Sequence, residues 1–392
     1  MPGIAVARYR DGGDTLSTGD NGYTRVQTYL VGGAVRDRLL GRPVRERDWV
    51  ITGATPQQLL SLGFRQKDPA FPVFAHPRTG EEYALARRER KRGPGHKGFV
   101  LEFGPDVTLA DDLSRRDLTI NAMAQDEQDA LFDPHGGQAD LTARRLRHVT
   151  AAFCEDPLRI LRLARFAAEL GCYGFEVAAD TAELATRMSR DDDLLTLSPG
   201  RVWHETERAL ASPAPQLFFR CLREFEALPR LMPWLVSPTD PGARAAIDAL
   251  ARAAEFDDDV TIRLAALLTG AARCSGADGL PGPDWPLPRA GRDLAALCME
   301  HPLPPQRLDA DTVTDWLLAM DAWRRGERFA QALQVWRAVT PTRTDSLQLL
   351  RSARESSARV PAPPEGTDPR RALRDARRAM VRAVLVGSGG PE

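Results

Sequence analysis

The chain has 392 residues, which at roughly 100–200 residues per domain allows two to four domains. Its 53 basic and 54 acidic residues leave a net charge of -1, so a uniformly basic nucleic-acid-binding protein is excluded and any such surface must be local. No stretch reaches the about 18 apolar residues of a membrane-spanning helix. The five cysteines contain no C-x-x-C pair, which argues against a zinc cluster or a disulfide framework and predicts a cytoplasmic protein.

Short apolar strands separated by turns characterise the chain from residue 28 to about residue 149. Strands are predicted at 29–31, 48–51 and 82–86, and a helix is predicted from Ala34 to Leu40. This mixture is typical of an α/β arrangement. The preceding residues, 1–27, have no apolar core and are predicted to be a disordered extension.

From about residue 150 onward the apolar residues recur at helical spacing, and no strand is predicted. The first helix of this region has Asp156 as a suitable N-cap and Pro157 at its first position. Further helices are predicted over 201–211, 215–228, 243–255, 261–272, 312–324, 328–339 and 369–385. Two Gly- and Pro-rich segments, 276–291 and 360–366, are predicted to interrupt them.

Two glycines, Gly32 and Gly33, stand between a predicted strand and a predicted helix. Glycine lets the backbone approach a ligand closely, and a helix N-terminus offers free N–H groups to a phosphate, to which Arg36 can add a charge-assisted bond. A bare Gly-Gly pair is equally typical of a tight strand-to-helix turn, and both interpretations stay open on these residues alone.

Three acidic residues lie at the starts of predicted strands. Glu46 and Asp48 are two apart, so on a strand both carboxylates point to one face. Two carboxylates and the phosphate oxygens of a substrate are ligands that Mg²⁺ prefers. A solvated pair at a sheet edge would show the same pattern, and Glu82 is either a third carboxylate or a surface acid.

Two further clusters could contact a nucleotide. Arg116 and Asp117, together with Asn121, could hold phosphates and a ribose hydroxyl, although a salt-bridged helix start has the same composition. Asp156 and Arg159 are three apart and share a helix face, where a carboxylate and a guanidinium could read the pairing edge of a base. An N-cap aspartate followed by an arginine is also common in ordinary helices.

Basic residues concentrate in two places. Residues 87–97 contain six Lys or Arg residues and one acid around a Gly-Pro-Gly turn, which predicts a flexible basic loop. The predicted helix 369–385 carries further arginines. Either segment suits contact with a phosphate backbone, and either is equally compatible with an ordinary solvated surface.

In chain order these segments closely resemble the bacterial class II tRNA nucleotidyltransferases, which are the CCA-adding enzymes of the DNA polymerase beta superfamily. The resemblance rests on YLVGGAVRDRLLG, RERDWVITG, EEYALARRERK, DDLSRRDLTINAMA, FDPHGGQADL and EDPLRILRLARFAAELG. It is strong from about residue 28 to residue 235 and thin beyond that point.

The resemblance implies an α+β fold, with a polymerase-beta-like head (28–149) built on a mixed sheet and followed by an all-helical neck (150–212) and an all-helical body and tail (213–392). It implies Mg²⁺-dependent addition of C, C and A to the 3′ end of tRNA from CTP and ATP, without a nucleic-acid template. Catalytic and metal-binding roles would fall on Glu46 and Asp48. Nucleotide-binding roles would fall on Gly33, Arg36, Arg116, Asp117, Asn121, Asp156, Arg159, Arg162 and Arg165.

Two features depart from the family pattern. The first metal ligand is commonly Asp, whereas this chain has Glu46. The His-Asp pair of the phosphohydrolase domain found in related enzymes is missing from 267–273, which predicts no phosphatase or phosphodiesterase activity. The alternatives are a poly(A) polymerase or A-adding enzyme, and a catalytically weakened tRNA-binding homologue. A monomer and a homodimer are both compatible with the sequence.

Overall fold

The computed structural model describes residues 26–68, 71–91, 99–235, 242–275, 282, 285–301, 305, 308–360 and 368–387. The extension predicted to be disordered lies outside this description, apart from its last two residues. The chain forms two compact units, Met1–Ser198 with Glu224–Ala227, and Pro199–Arg223 with Leu228–Glu392. No described helix is both long enough and apolar enough to span a bilayer.

A mixed sheet of seven strands is the centre of the first unit. In chain order its strands are β1 (Gln27–Val31), β2 (Asp48–Thr52), β3 (Arg65–Asp68), β4 (Phe71–Ala75), β5 (Glu82–Leu85), β8 (Ala124–Gln125) and β9 (Leu131–Phe132). Across the sheet they follow the order β3-β4-β5-β2-β1-β8-β9. Only the β2–β5 pair is parallel among the described strand pairs of this sheet, so the predicted mixed sheet is confirmed.

Both faces of the sheet are buried beside the two central strands. Val50 packs with Tyr29 and Val31 on one face, while its neighbour Ile51 packs with Phe74 and other apolar residues on the other face. Consecutive residues of a strand point to opposite faces, which explains the unbroken apolar run in β2. At the start of the same strand Asp48 is exposed, so the buried sheet presents a polar edge there.

The predicted flexible loop over 87–97 is partly wrong. Residues Arg87–Lys91 form strand β6, which pairs antiparallel with β7 (Phe99–Phe103). The run of charged side chains hides the alternation that normally indicates a strand. The remaining residues of the predicted loop, 92–97, lie outside the described residues.

The described residues of the first unit also form six α-helices, namely α1 (Gly33–Leu39), α2 (Pro56–Ser61), α3 (Leu109–Ser114), α4 (Gly137–Thr142), α5 (Leu158–Leu170) and α6 (Ala179–Arg190). Pro157 directly precedes α5, and the Asp156 carboxylate accepts the Leu158 N–H at 3.0 Å. The cap is thus present, with the helix starting one residue later than predicted.

A two-residue strand β11 (Glu176–Val177) pairs with β10 (Arg145–Leu146), so the expectation of no strand beyond residue 150 is wrong.

The second unit is helical throughout its described residues. Its helices are α7 (Pro199–Leu210), α8 (Gln216–Glu224, whose last residue the division assigns to the first unit), α9 (Leu228–Leu231), α10 (Gly242–Phe256), α11 (Val260–Ser275), α12 (Arg289–Glu300), α13 (Ala310–Ala319), α14 (Gly326–Val339), α15 (Thr344–Ser356) and α16 (Pro369–Gly387). The predicted helices 215–228 and 312–324 end early, because Glu226 and Asp321 have positive φ angles of 62° and 51°. Such a backbone cannot continue a right-handed helix.

Candidate active site

The glycine turn lies directly against two of the predicted arginines. Gly32 has a φ of 70°, and a Cβ on it would lie 3.1 Å from Nη1 of Arg116. A Cβ on Gly33, the first residue of α1, would lie 3.5 Å from Nη2 of Arg36. The backbone conformation at Gly32 therefore requires glycine. The turn lies against both Arg36 and Arg116, which are 80 positions apart in the sequence.

At the exposed edge beside this corner, Asp48 lies within electrostatic reach of two further acids, Glu46 and Glu82. Parallel pairing of β2 and β5 places Asp48 opposite Glu82. Partial burial of the Asp48 carboxyl raises its pKa, and the negative charges of Glu82 and Glu46 raise it further. The charges of Arg116 and Lys67 oppose that rise. Lys67 forms an ion pair with Glu82 at 2.5 Å, so the acids outnumber the nearby cations.

This edge fits a divalent cation that shares its ligands with a substrate. Within the described part of the chain, no group of three His, Cys, Asp or Glu side chains could hold a metal ion alone. Mg²⁺, however, commonly takes one or two carboxylates and completes its shell with phosphate oxygens and water. Besides partial burial, repulsion by Glu82 and Glu46 raises the pKa of Asp48. A bound cation would relieve that repulsion.

A buried carboxylate that the sequence interpretation missed holds the two adjacent arginines. Asp112 in α3 is fully buried and forms ion pairs with Arg115 at 2.6 Å and with Arg116 at 3.0 Å. Burial by itself would raise its pKa, but the two guanidiniums keep it below the usual value. The spacings of three and four residues were the available signal.

A second network joins four of the predicted residues. The Arg36 guanidinium donates to Oδ1 of Asn121 at 2.9 Å, and Nδ2 of Asn121 donates to Asp117 at 3.3 Å. Arg162 of α5 then pairs with Asp117 at 2.6 Å. Burial alone would raise the pKa of Asp117, but Arg162 and the N–H donors of Leu118 and Asn121 hold it well below its usual range.

Arg36 lies behind the glycine turn rather than at an open surface. It is 4% exposed, and besides Asn121 it donates to Asp37 at 3.0 Å and to Glu169 at 3.2 Å. These bonds use guanidinium donors that a direct triphosphate contact would need. The geometry therefore favours a supporting role for Arg36 in place of the direct contact that the sequence suggests.

The predicted base-reading pair occupies the start of α5. Arg159 is 8% exposed and donates to the backbone oxygens of Ala152 at 2.8 Å and Arg115 at 2.6 Å. These bonds use two of the five N–H donors of its guanidinium. Asp156 is partly exposed, and Arg159 ties this end of α5 to the segment that carries Arg116.

Two family models match the chain, "Poly A polymerase head domain" over residues 28–147 and "Probable RNA and SrmB- binding site of polymerase A" over residues 174–237. A multifunctional CCA protein of Thioalkalivibrio sulfidiphilus is 48% identical over 335 residues, which cover 78% of this chain and 82% of that protein. A CCA-adding enzyme of Marinobacter nauticus is 43% identical over 353 residues, 86% of this chain and 92% of that protein.

Solved structures show the same fold. The Bacillus stearothermophilus CCA-adding enzyme in complex with CTP aligns with a TM-score of 0.58 at 24% identity, covering 93% of this chain and 89% of that one. The Thermotoga maritima CCA-adding enzyme complexed with tRNA aligns with a TM-score of 0.63 at 19% identity, covering 93% and 92%.

A mixed sheet with an acidic edge beside a glycine turn, followed by helices, defines a nucleotidyltransferase of the poly(A) polymerase head type. Within that class, the chain belongs to the family of CCA-adding enzymes, the tRNA nucleotidyltransferases. The predicted fold and enzyme class are confirmed, and the poly(A) polymerase, A-adding and weakened-homologue alternatives are not favoured. The domain boundaries and the roles of single residues stay predictions.

Proposed function

We propose that this chain adds C, C and A stepwise to the 3′ end of tRNA, using CTP, ATP and Mg²⁺ in the cytoplasm. One observation carries the proposal: the acidic edge at Asp48 lies within electrostatic reach of Arg116, whose guanidinium abuts the glycine turn. Anionic oxygen ligands and a cationic phosphate cradle thus adjoin each other. The names of the relatives support the CCA product.

Each part of the site has a role in this proposal. Glu46 and Asp48 would hold Mg²⁺, which would supply positive charge to the triphosphate as the tRNA 3′-hydroxyl attacks the α-phosphorus and pyrophosphate leaves. The backbone at Gly32 and Gly33 lies against the guanidiniums of Arg116 and Arg36, and Arg116 supplies positive charge to a phosphate there. Phosphoryl-transfer sites act mainly by positioning the substrate and by stabilising charge. The glycine turn would position the triphosphate, and Arg116 and the acidic edge would stabilise its charge.

Base selection falls to the first turns of α5. CTP and ATP both present an amine and a ring nitrogen on the pairing edge, whereas UTP and GTP present different patterns. Asp156 can accept from the amine and Arg159 can donate to the ring nitrogen, while Arg162 and Arg165 follow on the same helix. A mismatched base would leave buried polar groups unpaired, which is the basis of rejection.

Arg159→Ala is expected to reduce discrimination between CTP and UTP about tenfold or more, because the donor to the base is lost. The oxygens of Ala152 and Arg115 lose a partner as well, so the free energy of unfolding should fall by about 1–3 kcal/mol. Competition assays and urea unfolding measure the two effects. Selectivity equal to wild type in a folded variant would remove Arg159 from base reading.

The C-terminal helix α16 carries two sets of arginines. Arg374 and Arg378 form ion pairs with Asp315 and Asp311 of α13, each at 2.5 Å, and Arg377 lies 4.1 Å over the Trp323 ring. Those three are engaged within the unit. Arg374 is exposed although it is paired. The other exposed arginines of the helix are Arg370, Arg371 and Arg382, of which Arg371 lies 4.0 Å from Asp375 of the same helix, and we assign contact with the tRNA backbone to these three.

Replacing these three exposed arginines by glutamine is expected to weaken tRNA binding and to reduce the slope of log affinity against log salt by about two to three, because each phosphate contact contributes about one. Arg289→Gln removes a comparably exposed arginine from α12 and serves as the control. Filter binding at several salt concentrations gives the slopes. Equal slopes for the wild type and the triple variant would show that α16 does not contact the tRNA backbone.

The direct test of the proposed function is incorporation into tRNA that lacks its CCA end, with Mg²⁺ and with CTP or ATP supplied singly and together. The proposal predicts two cytidines from CTP alone and a complete CCA end from both nucleotides. Failure to use CTP would contradict it, as would long A tails. Retained tRNA binding without incorporation, with activity restored by Glu46→Asp, would indicate a weakened homologue.

A further inference from the structure

Three guanidiniums converge on one phenylalanine in α5. Phe166 is 5% exposed, and the Cζ atoms of Arg165, Arg36 and Arg162 lie 4.1, 5.3 and 5.8 Å from its ring centroid. An aromatic face attracts a cation within about 6 Å, and the attraction grows when the pair is shielded from water. All three arginines are candidate residues of the nucleotide site, whereas Phe166, although it lies in the same sequence motif as Arg162 and Arg165, was assigned no role.

One glutamate of the same helix joins these arginines to α1. Glu169 accepts from Arg165 at 3.1 Å and from Arg36 at 3.2 Å, and it lies 3.5 Å from Arg42. Asp37 of α1 pairs with Arg36 and with Arg42, at 3.0 and 3.1 Å. The helix α1, which follows the glycine turn, is thus linked to α5 through the Glu169 carboxylate and through the contact of Arg36 with Phe166.

The balance of charge shows why this carboxylate matters. The cluster contains four guanidiniums and three carboxylates, those of Arg36, Arg42, Arg162, Arg165, Asp37, Asp117 and Glu169. Neutralising Glu169 would leave one further positive charge uncompensated and raise the net charge of the cluster from +1 to +2 in a largely desolvated place. Like charges at such distances repel strongly there, so the guanidiniums would move apart.

We propose that Glu169 and Phe166 are positioning residues of the nucleotide site. Glu169 fixes Arg36 and Arg165 by charge, and Phe166 supplies the surface on which the guanidiniums rest. Arg36 in turn holds Asn121 at 2.9 Å, and Asn121 contacts Asp117. The inference rests on the proposed function, because it assigns these contacts to the binding of CTP and ATP.

The test compares Glu169→Gln, Glu169→Asp and Phe166→Leu with matched controls. Glu176→Gln removes a glutamate that pairs with Arg145 at 3.0 Å outside the cluster. Phe175→Leu removes a phenylalanine that is also 5% exposed and also carries an arginine, Arg144, over its ring. The readouts are KM for CTP and ATP at saturating tRNA, kcat, tRNA affinity and the equilibrium affinity for CTP.

Glu169→Gln and Phe166→Leu are expected to raise KM and to weaken equilibrium CTP binding about tenfold, the effect of losing one charge-assisted contact. We expect kcat to change less and tRNA affinity to stay constant. Glu169→Asp keeps the charge and should lie between wild type and Glu169→Gln. If Glu169→Gln does not fold, Glu169→Asp and Phe166→Leu carry the test.

A double variant separates positioning from general packing. If Glu169 acts through Arg36, then Arg36→Gln combined with Glu169→Gln should raise KM no more than the stronger single variant. Additive effects, or KM values equal to the controls, would overturn the inference while the enzyme remains active. A wild type that does not incorporate nucleotide would refute the proposed function, and unchanged CTP affinity in the variants would then refute the positioning role separately.

Discussion

Asp48→Ala is expected to lower nucleotide incorporation at least about a thousandfold, because a metal ligand beside the triphosphate contributes several kcal/mol to the transition state. The same change should not lower the free energy of unfolding. Desolvation of the Asp48 carboxyl raises its pKa, and the negative charges of Glu82 and Glu46 raise it further, so the charged form of Asp48 does not stabilise the fold. Activity and stability are therefore expected to respond differently.

Single-turnover incorporation and urea unfolding of the same preparation measure both effects. Glu127→Ala, which removes an exposed acid from a turn of the first unit, is the control and should match wild type in both assays. Full activity in Asp48→Ala would exclude this residue as a metal ligand. Lost activity accompanied by lost folding would show that Asp48 is structural.

Asp117→Asn is expected to destabilise the protein by about 3 kcal/mol, because removing one partner leaves a charge of a buried ion pair uncompensated. Asp117 is 6% exposed and pairs with Arg162 at 2.6 Å. Nucleotide affinity should fall as well, since the asparagine has one acceptor oxygen in place of the two that serve Leu118 N–H, Asn121 and Arg162. Asp129→Asn changes an exposed pair with Arg38 and should have little effect on unfolding.

The destabilisation should depend on pH with a defined sign. The folded-state pKa of Asp117 is held below its ordinary value, chiefly by Arg162 against the effect of burial. Its contribution to stability is therefore complete above the unfolded pKa of about 4 and is lost as the pH falls below that value. The gap between wild type and Asp117→Asn in urea unfolding should be constant from pH 5 to 7 and shrink below pH 4. A gap that does not change with pH would contradict the ion pair.

Local signals in the sequence indicated the glycine turn and the start of α5. The pairing of Glu46 with Asp48 at one metal site stays a prediction, and β2 begins at Asp48, so Glu46 lies before the strand and not on its face. The parallel pairing of β2 with β5 could not be predicted from local residue types, because the two strands are joined by a long connection that includes β3 and β4. The position of Glu82 beside Asp48 is a consequence of that pairing.

Other features gave weak signals or none. Phe166 and Glu169 contact Arg36, which is distant in sequence, so spacing alone did not identify them. Asp112 pairs with Arg115 and Arg116 at spacings of three and four, a local signal that the sequence interpretation missed. The early ends of α8 and α13 come from a non-glycine residue with positive φ, Glu226 and Asp321 respectively. Such residues are uncommon in that conformation and carry no sequence mark.

The most direct test of the account is anomalous scattering from Mn²⁺ in crystals of the enzyme grown with a non-hydrolysable CTP analogue. The account predicts an ion bound by the carboxylates of Asp48 and Glu46 and by the triphosphate, with the cytosine beside Asp156 and Arg159. An ion that touches neither carboxylate, or a base bound away from the start of α5, would contradict it.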